Sequence, residues 1–149
     1  IKNLETLKHK KLGVSHSALY YLKKFDDSRG TLIAGEVPEV IPFDIKRYFL
    51  VNNVPPLQVR ANHAHILCEE FLICIKGSCS IKISDGMNKS NIILNSPNIG
   101  LYLPKMVWLS VYDFTPDAML LVFASSLYDT NDYIEDYDEF LSLNSLPKS

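Results

Sequence analysis

The sequence predicts an all-β fold, a sandwich or small barrel, that ends in one short helix. Three observations predict it: short runs rich in strand-forming residues follow one another, turn residues separate them, and helical periodicity is clear only near the C-terminus. At 149 residues the chain has the length of one domain. A chain of this length buries roughly two-thirds of the surface that it exposes when unfolded, so we expect one hydrophobic core.

The predicted strands lie between residues 18 and 124. They occupy residues 18–25, 46–54, 57–65, 70–76, 79–84, 91–94, 100–103, 107–114 and 118–124. The run at 79–84 shows the pattern most clearly, because Cys79, Ile81 and Ile83 alternate with polar side chains. Alternation with a period of two is typical of a half-buried strand.

Turn residues explain the breaks between the predicted strands. Gly77 and Gly86 each follow a polar residue and tolerate the positive φ that tight hairpins require. Pro55, Pro56 and Pro97 lack the backbone N–H that a strand ladder uses. The sequence therefore predicts tight turns at the two glycines and interruptions of the ladders at the prolines.

The two ends of the chain are predicted to differ from its middle. Residues 1–17 are predicted to form an N-terminal helix or linker, since their leucines recur at roughly helical spacing, and residues 18–149 to form the domain itself. Residues 132–143 are predicted to be a helix, with Tyr133 and Phe140 on one side and acidic side chains on the other. A helix this short is marginal alone, so we expect it to pack on the sheet.

The composition is that of a folded domain, with 47% apolar and 21% charged residues. A formal charge of −2 gives no bulk attraction to nucleic acid or to anionic membranes, so we expect neither as a partner. No apolar run approaches the ~20 residues that span a bilayer, and the N-terminus lacks the pattern of a signal peptide. We therefore expect a cytoplasmic protein. Cys68, Cys74 and Cys79 lack metal-type spacing and are predicted to be small buried hydrophobic residues.

The most informative segment is Arg60-Ala61-Asn62-His63-Ala64-His65. In an extended segment, side chains two positions apart leave the same face, so His63 and His65 are predicted to project together. Imidazole has an unperturbed pKa of ~6.5 and is also the commonest metal ligand. The pair therefore predicts either an acid–base site or a metal site.

The spacing of His63, His65, Glu70 and Gly77 reproduces the first cupin motif, in which two His and a Glu ligate a metal inside a small β-barrel. The second cupin motif normally adds another His, but Leu109 occupies that position. Two His and one carboxylate still suffice for an open facial triad. A metal-dependent cupin enzyme that uses His63, His65 and Glu70 is therefore one alternative to an acid–base site without metal.

Several blocks of the sequence, in order, resemble the sugar-nucleotide 3,4-ketoisomerases, cupin-fold enzymes that act on dTDP-4-keto-6-deoxyglucose. The matching stretches are residues 41–47, Arg60 with 63–65, 71–78, 100–104 with 107–108, 120–122, and 128–129 with 132–134. The resemblance covers about residues 18 to 141. It implies a cupin-type jelly-roll β-barrel, a homodimer with exchanged strands, no required metal or cofactor, and a pocket for a dTDP-linked 4-keto-6-deoxyhexose.

The resemblance also implies a reaction and roles for the histidines. The keto group moves from C4 to C3 through an enediol or enediolate, towards a dTDP-3-amino-3,6-dideoxyhexose. His63 is expected to be the carbon base or proton shuttle and His65 its partner, although the reverse order stays open. The expected substrate-binding residues are Arg29, Arg47, Arg60, Glu70, Tyr102 and Trp108. Because the sequence begins with Ile1, it could be a domain of a longer chain, for which an acyltransferase is the expected attached domain.

Some positions depart from the pattern of that family. Phe49 stands where a Tyr is frequent, and Leu109 follows Trp108 where a His or Arg is common, so two polar groups are lost. Ala61 replaces a Gly, and Glu70 replaces a common Gln and adds a carboxylate that can raise the pKa of a histidine. A non-catalytic sugar-nucleotide-binding cupin is therefore a further alternative.

Overall fold

Antiparallel strands make up about half of the chain between residues 9 and 145, the part that the computed structural model describes. In chain order the strands are β1 (His9–Lys11), β2 (Ala18–Tyr21), β3 (Lys23–Asp27), β4 (Gly30–Ala34), β5 (Arg47–Asn52), β6 (Arg60–His65), β7 (Glu70–Lys76), β8 (Cys79–Ser84), β9 (Lys89–Leu94), β10 (Ile99–Leu103), β11 (Trp108–Tyr112), β12 (Met119–Ala124) and β13 (Tyr133–Ile134). A 3₁₀ turn at Thr130–Asp132 precedes β13, and one helix, α1 (Tyr137–Asn144), follows it. The prediction of an all-β fold with a short C-terminal helix is confirmed.

Two sheets face each other across the core. One has six strands in the order β1-β2-β10-β7-β12-β5, and the other has five in the order β13-β6-β11-β8-β9. The hairpin β3–β4 forms a separate two-stranded sheet. The apolar side chains that fill the space between the two larger sheets include Leu72, Cys74, Ile81, Ile83, Leu101, Leu109, Leu120 and Val122. Each aliphatic side chain buried here contributes about 1.5–3 kcal/mol relative to exposure.

A second apolar cluster covers the outer face of the six-stranded sheet. It contains Leu22, Val40, Ile41, Phe43, Phe71 and Ile73. Phe71 packs directly against Gly100, where any added side chain would collide with the phenyl ring. The inner and outer faces of β7 are therefore both apolar, which explains why its sequence shows a continuous apolar run.

The N-terminal prediction is wrong for the residues that the structure describes. Residues 1–17 were expected to be a helix or linker, but His9–Lys11 form β1, paired with β2 in the six-stranded sheet. The first eight residues of that segment lie outside the described part of the chain. The hairpin β3–β4 was also not fully predicted, because Gly30–Ala34 lack a clear apolar alternation.

The predicted helix at 132–143 begins too early. Residues 133–134 form β13, and α1 begins at Tyr137 because the Asp136 side chain caps its first turn by accepting a hydrogen bond from the Glu139 N–H. Phe140 is fully buried and packs in a cluster with Trp108. The helix therefore packs on the sheet, as predicted. Between residues 9 and 145, no helix is both long and apolar enough to cross a membrane.

The predictions for the glycine turns and the cysteines are confirmed. Gly77 and Gly86 adopt positive φ angles of 66° and 97° in the turns after β7 and β8. Cys68, Cys74 and Cys79 are buried and free.

Candidate active site

Strand β6 carries the histidine pair and contains a bulge just before it. His63 lies opposite Leu109 of β11, whereas the next pair along is Ala61 with Ser110, so Asn62 is an extra residue without a partner. Ala61 and Asn62 both have positive φ, 69° and 58°, and the Asn62 Oδ1 accepts a hydrogen bond of 2.6 Å from the Ser110 hydroxyl. The bulge therefore fixes where β6 turns His63 towards the interior.

The two imidazoles lie together on the inner side of β6. Their ring centroids are 5.0 Å apart and the rings meet edge to face at 79°. His65 is 3% exposed, whereas His63 is only partly buried. His63 is therefore the ring of the pair that a ligand can reach more readily.

Asp132 fixes the orientation of His65. The His65 Nδ1 lies 2.9 Å from the Asp132 Oδ2. The same carboxylate accepts hydrogen bonds from the backbone N–H groups of Leu67, at 2.7 Å, and Cys68, at 3.3 Å. Because these backbone donors hold the carboxylate, it holds the imidazole in one orientation with Nδ1 protonated.

Glu70 of β7 faces the other nitrogen of His65. Its carboxylate is 3% exposed, and its Oε2 lies 3.4 Å from the His65 Nε2. That separation is an ion-pair distance, yet the Nε2 has no aligned hydrogen-bond partner, alone among the buried side-chain nitrogens and oxygens between residues 9 and 145. His65 thus lies between two carboxylates, and its Nε2 is buried without an aligned hydrogen bond.

The pKa values of the two histidines shift in opposite directions. Burial, and then the positive charge of His65, lower the pKa of His63 below its usual value. Burial also lowers the pKa of His65, but the carboxylates of Glu70 and Asp132 outweigh it and raise the pKa above its usual value. Relative to an ordinary imidazole, His63 is therefore biased towards the neutral form, which can accept a proton, and His65 towards the imidazolium, which can donate one.

Tyr133 and Arg47 complete the cluster. The Tyr133 ring centroid lies 4.9 Å from that of His63 and 4.4 Å from that of His65. The Arg47 guanidinium lies over the rings of Phe49 and Tyr128, and the Tyr128 ring in turn packs against Tyr133, with 5.8 Å between the ring centroids. Of the predicted site residues, the structure therefore brings together His63, His65, Glu70 and Arg47.

Asp132, Tyr133 and Tyr128 were not assigned roles from the sequence. All three lie in stretches that resemble the ketoisomerases, which was the available signal. Tyr133 was placed on a helix, although it belongs to β13 and pairs with His65. These residues lie more than sixty positions from the histidines along the chain, so the sequence pattern did not indicate that they meet in the fold.

Tyr102 and Trp108 lie outside the histidine cluster, contrary to their expected place in the pocket. Tyr102 packs on the outer face of the six-stranded sheet, and its hydroxyl donates to the Glu69 carboxylate. Trp108 packs against Tyr137 and Phe140 of α1. Trp108 is next to Leu109 in β11, and because Leu109 faces His63, the indole points to the opposite side.

Arg29 and Arg60 are exposed and do not contact the histidines in this chain. Arg29 lies at the tip of the β3–β4 hairpin and pairs with Asp27 at 2.7 Å. Arg60 lies opposite Val111 at the open end of β6, where it lines a groove of about 280 Å³ beyond the end of β5. Because of the bulge, this register puts Arg60 on the same side of the sheet as His63.

The donor set of the metal-dependent alternative does not converge. Among residues 9–145, the group of possible ligand atoms within 4.8 Å of one another is His65, Cys68 and Asp132, not His63, His65 and Glu70. In that group the Asp132 carboxylate already accepts hydrogen bonds from His65 and two backbone N–H groups. The structure therefore does not assemble the predicted ligand set of His63, His65 and Glu70.

Comparison with known proteins finds relatives of this chain. A family model described as "FdtA: WxcM-like, C-terminal" matches residues 15–145. A TDP-4-oxo-6-deoxy-alpha-D-glucose-3,4-oxoisomerase from Aneurinibacillus thermoaerophilus is 42% identical over 118 residues, which are 79% of this chain and 85% of that protein.

Solved structures show the same similarity. A TDP-quinovose 3,4-ketoisomerase from Campylobacter jejuni is 43% identical, with a TM-score of 0.82 over 87% of this chain and 99% of that one. A second match is a 3,4-ketoisomerase from Thermoanaerobacterium thermosaccharolyticum, solved as a histidine-to-asparagine mutant in complex with TDP-4-keto-6-deoxyglucose. It is 35% identical, with a TM-score of 0.83 over 88% of this chain and 95% of that one. Both the sequence and the fold thus match over almost the whole domain, and the chain belongs to the FdtA family of WxcM-like C-terminal domains.

Proposed function

We propose that this protein is a sugar-nucleotide 3,4-ketoisomerase, which moves the keto group of a dTDP-4-keto-6-deoxyhexose from C4 to C3. The observation that carries the proposal is the inward pair His63 and His65, whose pKa values shift in opposite directions. The named activities of the matched relatives support the same assignment. The product is suited to amination at C3, and so to synthesis of a dTDP-3-amino-3,6-dideoxyhexose.

The mechanism divides proton transfer between the two histidines. Neutral His63 removes the proton from C3, which the C4 carbonyl acidifies, and the electron pair forms a C3–C4 double bond. The carbonyl π electrons move to O4, where the charge is stabilised by the nearby imidazolium of His65. A proton then moves from O3 to O4, which leaves the negative charge on O3, and return of a proton to C4 gives the ketone at C3 and a hydroxyl group at C4. Each acid–base step of this kind contributes on the order of 10²- to 10⁴-fold.

Solvent exchange tests the proposal directly. In D₂O, the wild-type protein should place deuterium in the hexose while the 3-keto product is trapped by a coupled aminotransferase. His63→Asn should reduce the exchange rate by about 10²- to 10⁴-fold, whereas His16→Asn, at an exposed histidine, should not. Tight binding of TDP by wild-type protein without exchange or product would instead support a non-catalytic binding protein.

A homodimer with exchanged strands is part of the same proposal. The β3–β4 hairpin pairs with neither larger sheet and leaves Phe25 57% and Leu32 59% exposed. Adjacent apolar side chains of this size are typical of a surface that another protein covers. In sedimentation experiments we expect a dimer, which the double variant Phe25→Ser and Leu32→Ser should weaken and Met87→Ser, at an exposed residue of the β8–β9 turn, should not. A monomeric wild type would contradict this part.

The setting of the reaction is also a proposal. We place it in the cytoplasm, because the substrate is linked to a nucleotide, and cell fractionation tests this. An acyltransferase domain on the same polypeptide is a further expectation, which the full coding sequence would test.

A further inference from the structure

Tyr133 occupies a central position beside both histidines. It pairs with His65 across β13 and β6, and directly paired residues project from the same side of a sheet. Its ring is closer to His65 than the histidines are to each other, at 4.4 Å against 5.0 Å between centroids. A ligand that touches His63 in this cluster therefore also comes close to the phenol.

Arg47 is held where it can orient the Tyr133 hydroxyl. Its Nε donates a hydrogen bond of 3.2 Å to the Ser126 carbonyl. Its guanidinium carbon lies 5.4 Å from the Phe49 ring centroid and 5.7 Å from that of Tyr128. One carbonyl and two rings thus fix the cation, so its remaining N–H groups can donate to the phenol oxygen.

The phenol is a donor at neutral pH. Burial raises the pKa of Tyr133, and the guanidinium of Arg47 lowers it by less, so the pKa stays above its ordinary value. A phenol oxygen that accepts from Arg47 keeps its own proton free for a ligand.

The reaction can use such a donor in addition to the His65 imidazolium. Negative charge develops on O4 when the C3 proton leaves, and preorganised hydrogen-bond donors at such an oxygen are usually the largest single contribution to catalysis. Around the histidines, Glu70 and Asp132 are carboxylates, and Phe49 and Leu109 carry no polar side-chain atom.

We propose, building on the ketoisomerase function above, that Tyr133 is a third catalytic residue, whose hydroxyl, oriented by Arg47, donates a hydrogen bond to the sugar oxygen that becomes the enediolate. As His63 takes the C3 proton, the C–H electron pair forms the C3–C4 double bond, the carbonyl pair moves to O4, and the Tyr133 hydrogen bond strengthens. No proton leaves Tyr133 overall. The inference makes Arg47 a positioning residue for the phenol.

Tyr133→Phe tests the inference, because it keeps the ring and removes the hydroxyl. We expect kcat to fall by about 10²- to 10³-fold, with KM changed less than about threefold, since the bond strengthens only in the transition state. The matched control is Tyr137→Phe, which loses a hydroxyl bonded to Ser84 at 3.0 Å within the α1 cluster and should keep kcat. A Tyr133→Phe enzyme with kcat within threefold of wild type would overturn the inference while leaving the ketoisomerase function intact.

A wrong assignment of the proposed function would give a different result, because the wild-type protein itself would then give no 3-keto product. Should Tyr133→Phe not fold, as judged by its thermal unfolding against Tyr137→Phe, trifluorotyrosine at position 133 replaces it. This side chain keeps the hydroxyl, but the hydroxyl is far more acidic than that of tyrosine. The charged or titrating groups that face position 133 are His63, His65, Glu70, Arg47 and Tyr128. We expect kcat to be lost at a lower pH than in wild type; an unchanged alkaline limb would overturn the inference.

Discussion

His63 and His65 lie edge to face, with ring centroids 5.0 Å apart, yet their pKa values move away from each other. The cause is their different neighbours. Only His65 lies between the carboxylates of Asp132 and Glu70, at 2.9 and 3.4 Å. The resulting imidazolium then makes protonation of His63 harder, so the division of roles into base and acid follows from one set of contacts.

The first prediction is a broad bell-shaped pH profile. The acidic limb of kcat/KM reports protonation of His63, whose lowered pKa moves this limb below the ordinary value of ~6.5. The alkaline limb reports loss of the proton from His65, whose raised pKa moves it above the same value. We expect activity to be greatest between the two. A pH titration of both imidazoles by NMR should give two midpoints on either side of ~6.5, and a single shared midpoint would contradict the assignment.

The second prediction concerns Asp132→Asn. Loss of the carboxylate removes one of the groups that raise the pKa of His65, so the alkaline limb should move to lower pH. At a pH above the pKa of His65 in both the wild type and the variant, each unit by which this pKa falls reduces the imidazolium fraction about tenfold. The limb is measured from kcat/KM against pH.

The control for this variant comes from the same turn. Asp129 caps the 3₁₀ turn by accepting a hydrogen bond from the Asn131 N–H, without contacting His65. Asp129→Asn should leave the alkaline limb in place. If both variants moved the limb equally, distortion of the turn rather than the Asp132 charge would be the cause.

The third prediction separates packing from catalysis at Trp108. Its indole packs on Tyr137 and Phe140 and faces away from His63, so Trp108→Phe should reduce stability by about 0.5–3 kcal/mol and leave KM within about twofold. Urea unfolding and steady-state kinetics measure the two effects. A large rise in KM with unchanged stability would instead indicate that Trp108 contacts the substrate.

The sequence predicted what depends on local periodicity. Alternation in 79–84 and the glycines at 77 and 86 identified strands and turns that the structure contains, and the spacing of His63 and His65 predicted that their rings would lie together. Contacts between distant segments could not be read in this way. Asp132 reaches His65 only because β13 pairs with β6, and an acidic run that continues into α1 concealed that short strand.

Tyr102 and Trp108 illustrate a second limit. The aromatic type of these residues is compatible with either face of a strand that is apolar on both sides, so periodicity cannot choose between core and pocket. The register of β11 with β6 places Trp108 on the side away from His63. The hydrogen bond to Glu69 places Tyr102 outside the histidine cluster.

The final prediction concerns the bulge in front of His63. Asn62 has φ of 58°, a region that Asn tolerates better than Ala does, and its side chain accepts the Ser110 hydroxyl at 2.6 Å. Asn62→Ala loses both advantages and should reduce the free energy of unfolding by about 1–2 kcal/mol. Asn62→Gly loses the hydrogen bond but adopts positive φ freely, so it should reduce the free energy of unfolding by less.

Because the extra residue sets where β6 turns His63 inward, deletion of Asn62 should shift the register of Arg60 and Ala61 against β11 and abolish exchange at C3. A deletion variant that folds and still exchanges would show that the bulge does not position the histidine.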